Sequence, residues 1–187
     1  MGADFPIFDG HNDLLWHLHK AGDRDGSRFI TGRDGALDLT KCRKGGFAGG
    51  FFAIWVPGPG EGDTAGTDPV DSAVARRVTL EMAAILLRLT RAHGDAIRLC
   101  TSAAEISAAR ADGAIAAVMH LEGAEAIGPD LAELEVLHAA GLRSLGPVWS
   151  RPNIFGHGVP FAYPSGPDTG PGLTDAGKDL VRECDRL

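Results

Sequence analysis

Residues 114–123 read Ala-Ile-Ala-Ala-Val-Met-His-Leu-Glu-Gly. The run AIAAVMHL, residues 114–121, is nearly all apolar and too short for a self-standing helix, so it reads as a buried strand. Glu122 follows at once. A carboxylate straight after a buried strand is costly unless it is paired, caps a helix or binds a cation. Local sequence leaves those readings open.

Outward from this strand the same pattern repeats. FPIFD (residues 5–9) reads as a short buried strand stopping at Gly10, and FAGGFFAIWV (residues 47–56) as a second, ended by Pro57-Gly58-Pro59-Gly60. Residues 96–100 and 142–149 read as two more. Helical readings fall between them. Residues 14–20 form a short one. From Asp71 to Ala92, Val74, Val78, Met82, Ile85, Leu86 and Leu89 recur at helical spacing, and the first four share one face. Gly94 is placed to end this helix. Ser102 with Glu105 is a capping box ahead of a helix to Arg110. Pro129-Asp130 opens a helix to Ala140, and Thr174 can cap a last one running to Leu187. Residues 21–37, 57–69 and 150–172 read as loops.

Alternating strands and helices imply an α/β fold with a parallel sheet and helices outside it. No Ser- or Pro-rich linker separates two cores, so residues 1–187 are expected to form a single domain. An eight-unit barrel takes about 250 residues, leaving room here for roughly half to two-thirds of one, or for a smaller open sheet. Polar and aromatic residues gather at the carboxyl ends of the strands: His11 and Asp13, Trp55, Glu122, then Trp149 and Asn153. In parallel α/β folds that edge carries the active site.

Bulk properties exclude several classes. The formal net charge is −7, and no basic run is interleaved with aromatics, so nucleic acid is a poor partner. No apolar stretch is long enough to span a bilayer. The start MGADFPIFDGHND lacks a secretory pattern, and Phe5-Pro6 spoils its faint myristoylation look. Cys42, Cys100 and Cys184 are an odd, widely spaced set, which favours a reducing compartment and a cytoplasmic location. No GxSxG elbow is present, and the Gly-rich run at 45–50 precedes a strand, so it has no helix N-terminus with which to cradle phosphate.

Two constellations remain. In His11-Asn12-Asp13, side chains two apart share a face in extended chain, and an imidazole nitrogen with a carboxylate oxygen suits zinc. The competing reading is a capped turn in which Asp13 accepts backbone N–H groups. Glu122 is the second; a carboxylate there could bridge two metals about 3.5–4 Å apart. Among the other histidines, His17 and His19 suit the surface, His93 a helix end and His138 a structural place. His120 could share the side of Glu122 or sit in the core. His157, in the long loop, is the best further candidate for touching substrate.

These segments resemble, in order, those of the membrane (renal) dipeptidase family. The matching stretches are Phe8-Asp9-Gly10-His11-Asn12-Asp13-Leu14, Gly46–Phe52, Leu121-Glu122-Gly123, Gly141–Leu145 with Trp149–Asn153, and Gly172-Leu173-Thr174 with Gly177, Val181 and Leu187. The resemblance implies a (β/α)8 TIM-barrel-type metal hydrolase fold of which this chain carries the N-terminal half to two-thirds. It also implies zinc-dependent hydrolysis of dipeptides at a binuclear site, with two zinc ions per complete active site. His11 and Asp13 would bind one zinc, and Glu122 would bridge both as the catalytic carboxylate. A hydroxide shared by the two metals would attack the peptide carbonyl. Apart from the resemblance, Trp55, Trp149 and Asn153 at the strand ends and His157 in the long loop are the candidates for contact with substrate.

The family's remaining histidine ligands and a later catalytic aspartate lie further along than Leu187. A missing C-terminal half, or a second copy, is the expected partner. Trp149 stands where vertebrate relatives place a substrate-contacting histidine. Two other readings accompany this one: a non-catalytic homologue binding one metal or none, and an amidohydrolase acting on another small amide or lactam.

Overall fold

The computed structural model describes residues 5–58, 68–159, 163–166 and 168–187. The expectations for Met1–Asp4, for Pro59-Gly60 and for parts of the loops at 57–69 and 150–172 fall outside the described residues. The chain divides into two compact units.

The first unit holds residues up to Ile54, Leu80–His120 and Gly141–Ser144. It carries β1 (Ile7–Asn12), α1 (Leu14–Lys20), α2 (Ser27–Thr31), α3 (Leu39–Gly45) and β2 (Phe47–Trp55) as far as Ile54. It also takes most of α4 (Ser72–Ala92), then β3 (Ile97–Leu99), α5 (Ala103–Ala111), β4 (Ile115–Glu122) as far as His120, and the start of β5 (Leu142–Gly146). The five strands make one sheet in the order β1-β2-β4-β3, with β5 also pairing β4. The β1–β2 and β3–β4 pairs are parallel, as the strand–helix alternation implies.

Glycine sets the spacing of this sheet. A Cβ on Gly49 would lie 2.5 Å from the Ala116 carbonyl oxygen and 2.9 Å from its Cβ. Only a residue without a side chain lets β2 pass there. On α4, Met82, Ile85, Leu86 and Leu89 are fully buried, each burial worth about 1.5–3 kcal/mol. Val78 is buried with them, but Val74 is 41% exposed, so the expected face begins one turn later.

Several boundaries differ from expectation. β1 is not buried, with Ile7 and Phe8 exposed, and it does not stop at Gly10; it runs to Asn12, which pairs with Phe52. The register shifts between Asp9 and Asn12, so Gly10 marks an irregularity inside the strand rather than its end. The expected loop at 21–37 contains α2, and α3, capped by Asp38, carries no strong apolar period. β5 ends at Gly146, because Pro147 has no N–H to give a ladder. The capping box of α5 is real but offset: Ser102 Oγ accepts from Glu105 N at 3.2 Å, while Glu105 Oε2 accepts from Thr101 N at 2.6 Å.

The second unit holds Trp55–Thr79, Leu121–Ala140 and Leu145–Leu187, with α6 (Ala132–Ala139) and α7 (Asp175–Arg186). Val56, Ala75, Ala124, Ile127, Leu134, Phe155 and Leu180 are buried there. Thr174 caps α7 as expected, accepting from Gly177 N at 3.1 Å. The long loop is tied down by bridges from Asn153 to Gly156 and from Gly156 to Leu173. No helix among the described residues is long and apolar enough to cross a membrane.

Candidate metal centre

The end of β1 is arranged around Asn12. Its amide nitrogen donates to Asp9 Oδ2 and to the Phe51 carbonyl, both at 3.1 Å, which pins it against β2. Its Oδ1 accepts from Leu14 N at 3.3 Å, at the start of α1. Asp13 occupies the N-cap position of α1, yet its side chain makes no capping hydrogen bond. The capped-turn reading of Asp13 is thereby replaced: its neighbour takes the amide, and the Asp13 carboxylate turns to His11. His11 Nε2 and Asp13 Oδ1 lie 3.3 Å apart, both partly exposed.

β4 brings the other half. Residues 120 and 122 share a face of the strand. His120 Nδ1 lies 2.8 Å from Ser144 Oγ on β5. Its ring stands 6.0 Å from the His11 ring at 80°, and 6.0 Å from Phe51. Burial pushes the His120 imidazole below its ordinary pKa, the adjacent His11 pushes the same way, and the contact with Ser144 opposes both. Glu122 ends β4, two residues beyond His120.

His11, Asp13 and Glu122 each offer one ligand atom, and these atoms lie within 4.8 Å of one another. Two zinc–ligand bonds of about 2.0–2.2 Å put ligand atoms less than about 4.5 Å apart, so modest side-chain rotation closes the set around one ion. One imidazole nitrogen with two carboxylates is a donor set zinc accepts. These residues therefore fit a divalent metal.

The candidates for substrate contact fall in the second unit. Trp55, last in β2, and Trp149, beyond β5, meet edge to face with centroids 5.2 Å apart. Asn153 spends its amide on the loop itself, donating to the Pro147 carbonyl and accepting from Phe155 N, both at 2.8 Å. His157 is exposed on the same loop.

Sequence reading missed Glu125 and Arg151. Both are buried, with Arg151 Nε donating to Glu125 Oε1 at 2.7 Å. The guanidinium carbon lies 5.9 Å from the Trp55 ring centre and 5.2 Å from that of Trp149, contacts worth about 0.5–2 kcal/mol each. The sequence held one signal: an Arg two residues past Trp149 and a Glu three past Glu122, each in apolar company.

The family model for membrane dipeptidase (peptidase family M19) matches residues 1–187. A metallopeptidase of Rhodobacter sphaeroides, solved with a phosphinate mimic of the dipeptide L-Ala-D-Ala, is 46% identical with a TM-score of 0.90, over 97% of this chain and 56% of its own. A dipeptidase AC of family M19 is 46% identical with a TM-score of 0.89, over 98% of this chain and 56% of its own. An uncharacterised protein from the PQQ-III 3′ region of Acinetobacter calcoaceticus is 41% identical over 96% of this chain and 60% of its own. The chain thus spans a little over half the length of these relatives. Its α/β fold with a parallel sheet matches theirs over that length, as part of a TIM-type barrel does.

Proposed function

Because the chain belongs to the membrane dipeptidase family, peptidase family M19, we propose that it forms one part of a zinc-dependent dipeptidase and supplies one side of a two-metal centre. The observation that carries this reading is the convergence of His11, Asp13 and Glu122 to within 4.8 Å. His11 and Asp13 would hold one ion, and Glu122, with two carboxylate oxygens, would serve both. Zinc bound there would supply a Lewis acid for the peptide carbonyl and lower the pKa of water toward neutrality. The other ligands come from the portion of the family fold that this chain does not span, supplied by the rest of the protein. A second copy is the alternative partner.

The chain's own residues prepare the site. Asn12 takes the capping duty and spares Asp13. His120 stands with its ring 6.0 Å from that of His11 and its Nδ1 2.8 Å from Ser144 Oγ, and so packs behind the candidate ligand. Trp55, Trp149, Asn153 and His157 form the substrate side. The substrate class is a small dipeptide with a D-residue tolerated at its C-terminal position, a reading supported by the mimic held by the Rhodobacter relative. The unpaired thiols of Cys42, Cys100 and Cys184 support a cytoplasmic location.

The test uses the full-length protein. Metal analysis should find about two zinc ions per chain. L-Ala-L-Ala and L-Ala-D-Ala should be hydrolysed, and a chelator should stop both reactions. Activity that survives complete removal of metal would reject the mechanism. Turnover of a β-lactam but of no dipeptide would favour the lactam amidohydrolase, and no turnover with any metal supplied would favour the non-catalytic homologue.

A further inference from the structure

Arg151 is the largest side chain with no solvent exposure. Its Nε donates to Glu125 Oε1 at 2.7 Å, and one Nη donates to the Val56 carbonyl. Its planar group faces both Trp55 and Trp149, whose rings cross at 69°. The arrangement is a poor stabiliser for its cost. The second Nη of Arg151 and Oε2 of Glu125 are buried without a hydrogen-bond partner among the described residues. An apolar pair of the same volume would fill such a place with no charge to bury. What an apolar pair lacks is a rigid cationic plane that addresses two indole faces at once.

The pair also reaches the loop that follows Glu122. Glu125 curls back so that its carboxylate covers the α-carbon of Gly123, where a Cβ would collide with Oε2. Gly123 N donates to Gly146 O at 3.0 Å and Ala124 N to Pro147 O at 3.1 Å, so this turn is fixed to the end of β5. Arg151 therefore joins three segments: the exit of β2 at Val56, the turn at Gly123–Glu125, and its own loop with Trp149.

We propose that Arg151, clamped by Glu125, is a positioning residue that sets the Trp55–Trp149 pair as a rigid wall for the dipeptide. This rests on the reading of those two tryptophans as substrate contacts. The wall binds substrate and transition state alike. Its loosening therefore raises KM and leaves kcat and the metal centre in place.

The experiment compares full-length, zinc-loaded wild type with Arg151→Lys and with the paired Arg151→Met/Glu125→Leu, which removes both buried charges together and so avoids an orphaned ion. Two readouts are taken: steady-state kinetics on L-Ala-D-Ala with zinc content, and the far-UV exciton couplet of the two coupled indoles, with Trp149→Phe as the no-couplet control. In the paired variant the couplet should fall to the control level. KM should rise about tenfold or more with kcat changed less than about threefold and zinc content unchanged. Arg151→Lys should lie between the two. If the paired variant fails to fold, the lysine variant carries the same readings.

A couplet and KM at wild-type values overturn the proposal, and so does a lost couplet with KM unchanged. Zinc content and kcat falling together with KM also overturn it, because the pair would then be a general prop of the metal centre. Should wild type hydrolyse no dipeptide, the proposed function fails by itself. The couplet then decides alone: its survival in the paired variant overturns the positioning role, and its loss supports it.

Discussion

His120 stands with its ring 6.0 Å from that of His11, nearly perpendicular, while its Nδ1 lies 2.8 Å from Ser144 Oγ. A half-buried imidazole braced by a hydroxyl thus backs a candidate metal ligand. Groups that orient a ligand from behind commonly govern affinity by about 10–100-fold. His120→Gln is expected to keep the fold and weaken zinc binding by about that factor, read by competition with a chromophoric chelator. Wild-type affinity in the folded variant would show that the contact with His11 is incidental.

Gly123 follows Glu122 directly, with φ at +89° and Glu125 Oε2 over its α-carbon. An alanine there meets both a left-handed backbone and a carboxylate. Gly123→Ala should lower stability by about 1–3 kcal/mol in urea melts and displace Glu122 with it. Equal stability would mean the turn relaxes freely.

How much of this was legible follows from how far apart the interacting residues lie. The α4 stripe, the Thr174 cap and the His11–Asp13 pair are local patterns, and all three could be seen along the chain. Glu122 stood out because a carboxylate interrupts an apolar run. The Arg151–Glu125 pair could not be read, since its members are 26 positions apart and meet only through tertiary packing. Asn12 was hidden for a different reason: Asp13, equally able to cap, sat beside it, and only the geometry shows which side chain takes the amide. The extension of β1 past Gly10 was lost to the ordinary reading of glycine as a stop, whereas pairing with β2 overrides it.

Asp38 caps α3 and also holds Lys41. Its Oδ1 accepts from Lys41 N at 2.8 Å, and its Oδ2 lies 2.5 Å from Lys41 Nζ. The Lys41 ammonium foremost, then the Lys41 backbone N–H, draw its pKa down from 3.8 to about 2. A depressed carboxylate stabilises the fold above its unfolded value and loses that contribution as pH falls through the folded value. The stability gap between wild type and Asp38→Asn should therefore be constant above about pH 5 and shrink as pH drops toward 2. A gap independent of pH over that window would show that the charge contributes nothing.

The cysteines should differ in reactivity. Burial foremost, with the Asp38 and Asp9 carboxylates, pushes the Cys42 thiol up to about 11. Burial also raises Cys100, and burial with the Glu183 carboxylate raises Cys184, but Cys184 alone of the three is exposed, on α7. Because the reagent must reach the sulfur, iodoacetamide should mark Cys184 on the folded protein, and Cys42 and Cys100 only after unfolding. Peptide mapping reads this directly; early labelling of Cys42 would contradict the buried placement.

The most direct measurement is anomalous diffraction at the zinc edge from crystals of the full-length protein. A zinc peak is expected within about 2.0–2.2 Å of a His11 nitrogen, an Asp13 oxygen and a Glu122 oxygen, and Glu122→Gln should empty or halve it. Zinc bound elsewhere, with no peak in reach of these three side chains, would contradict the metal centre and the dipeptidase reading with it.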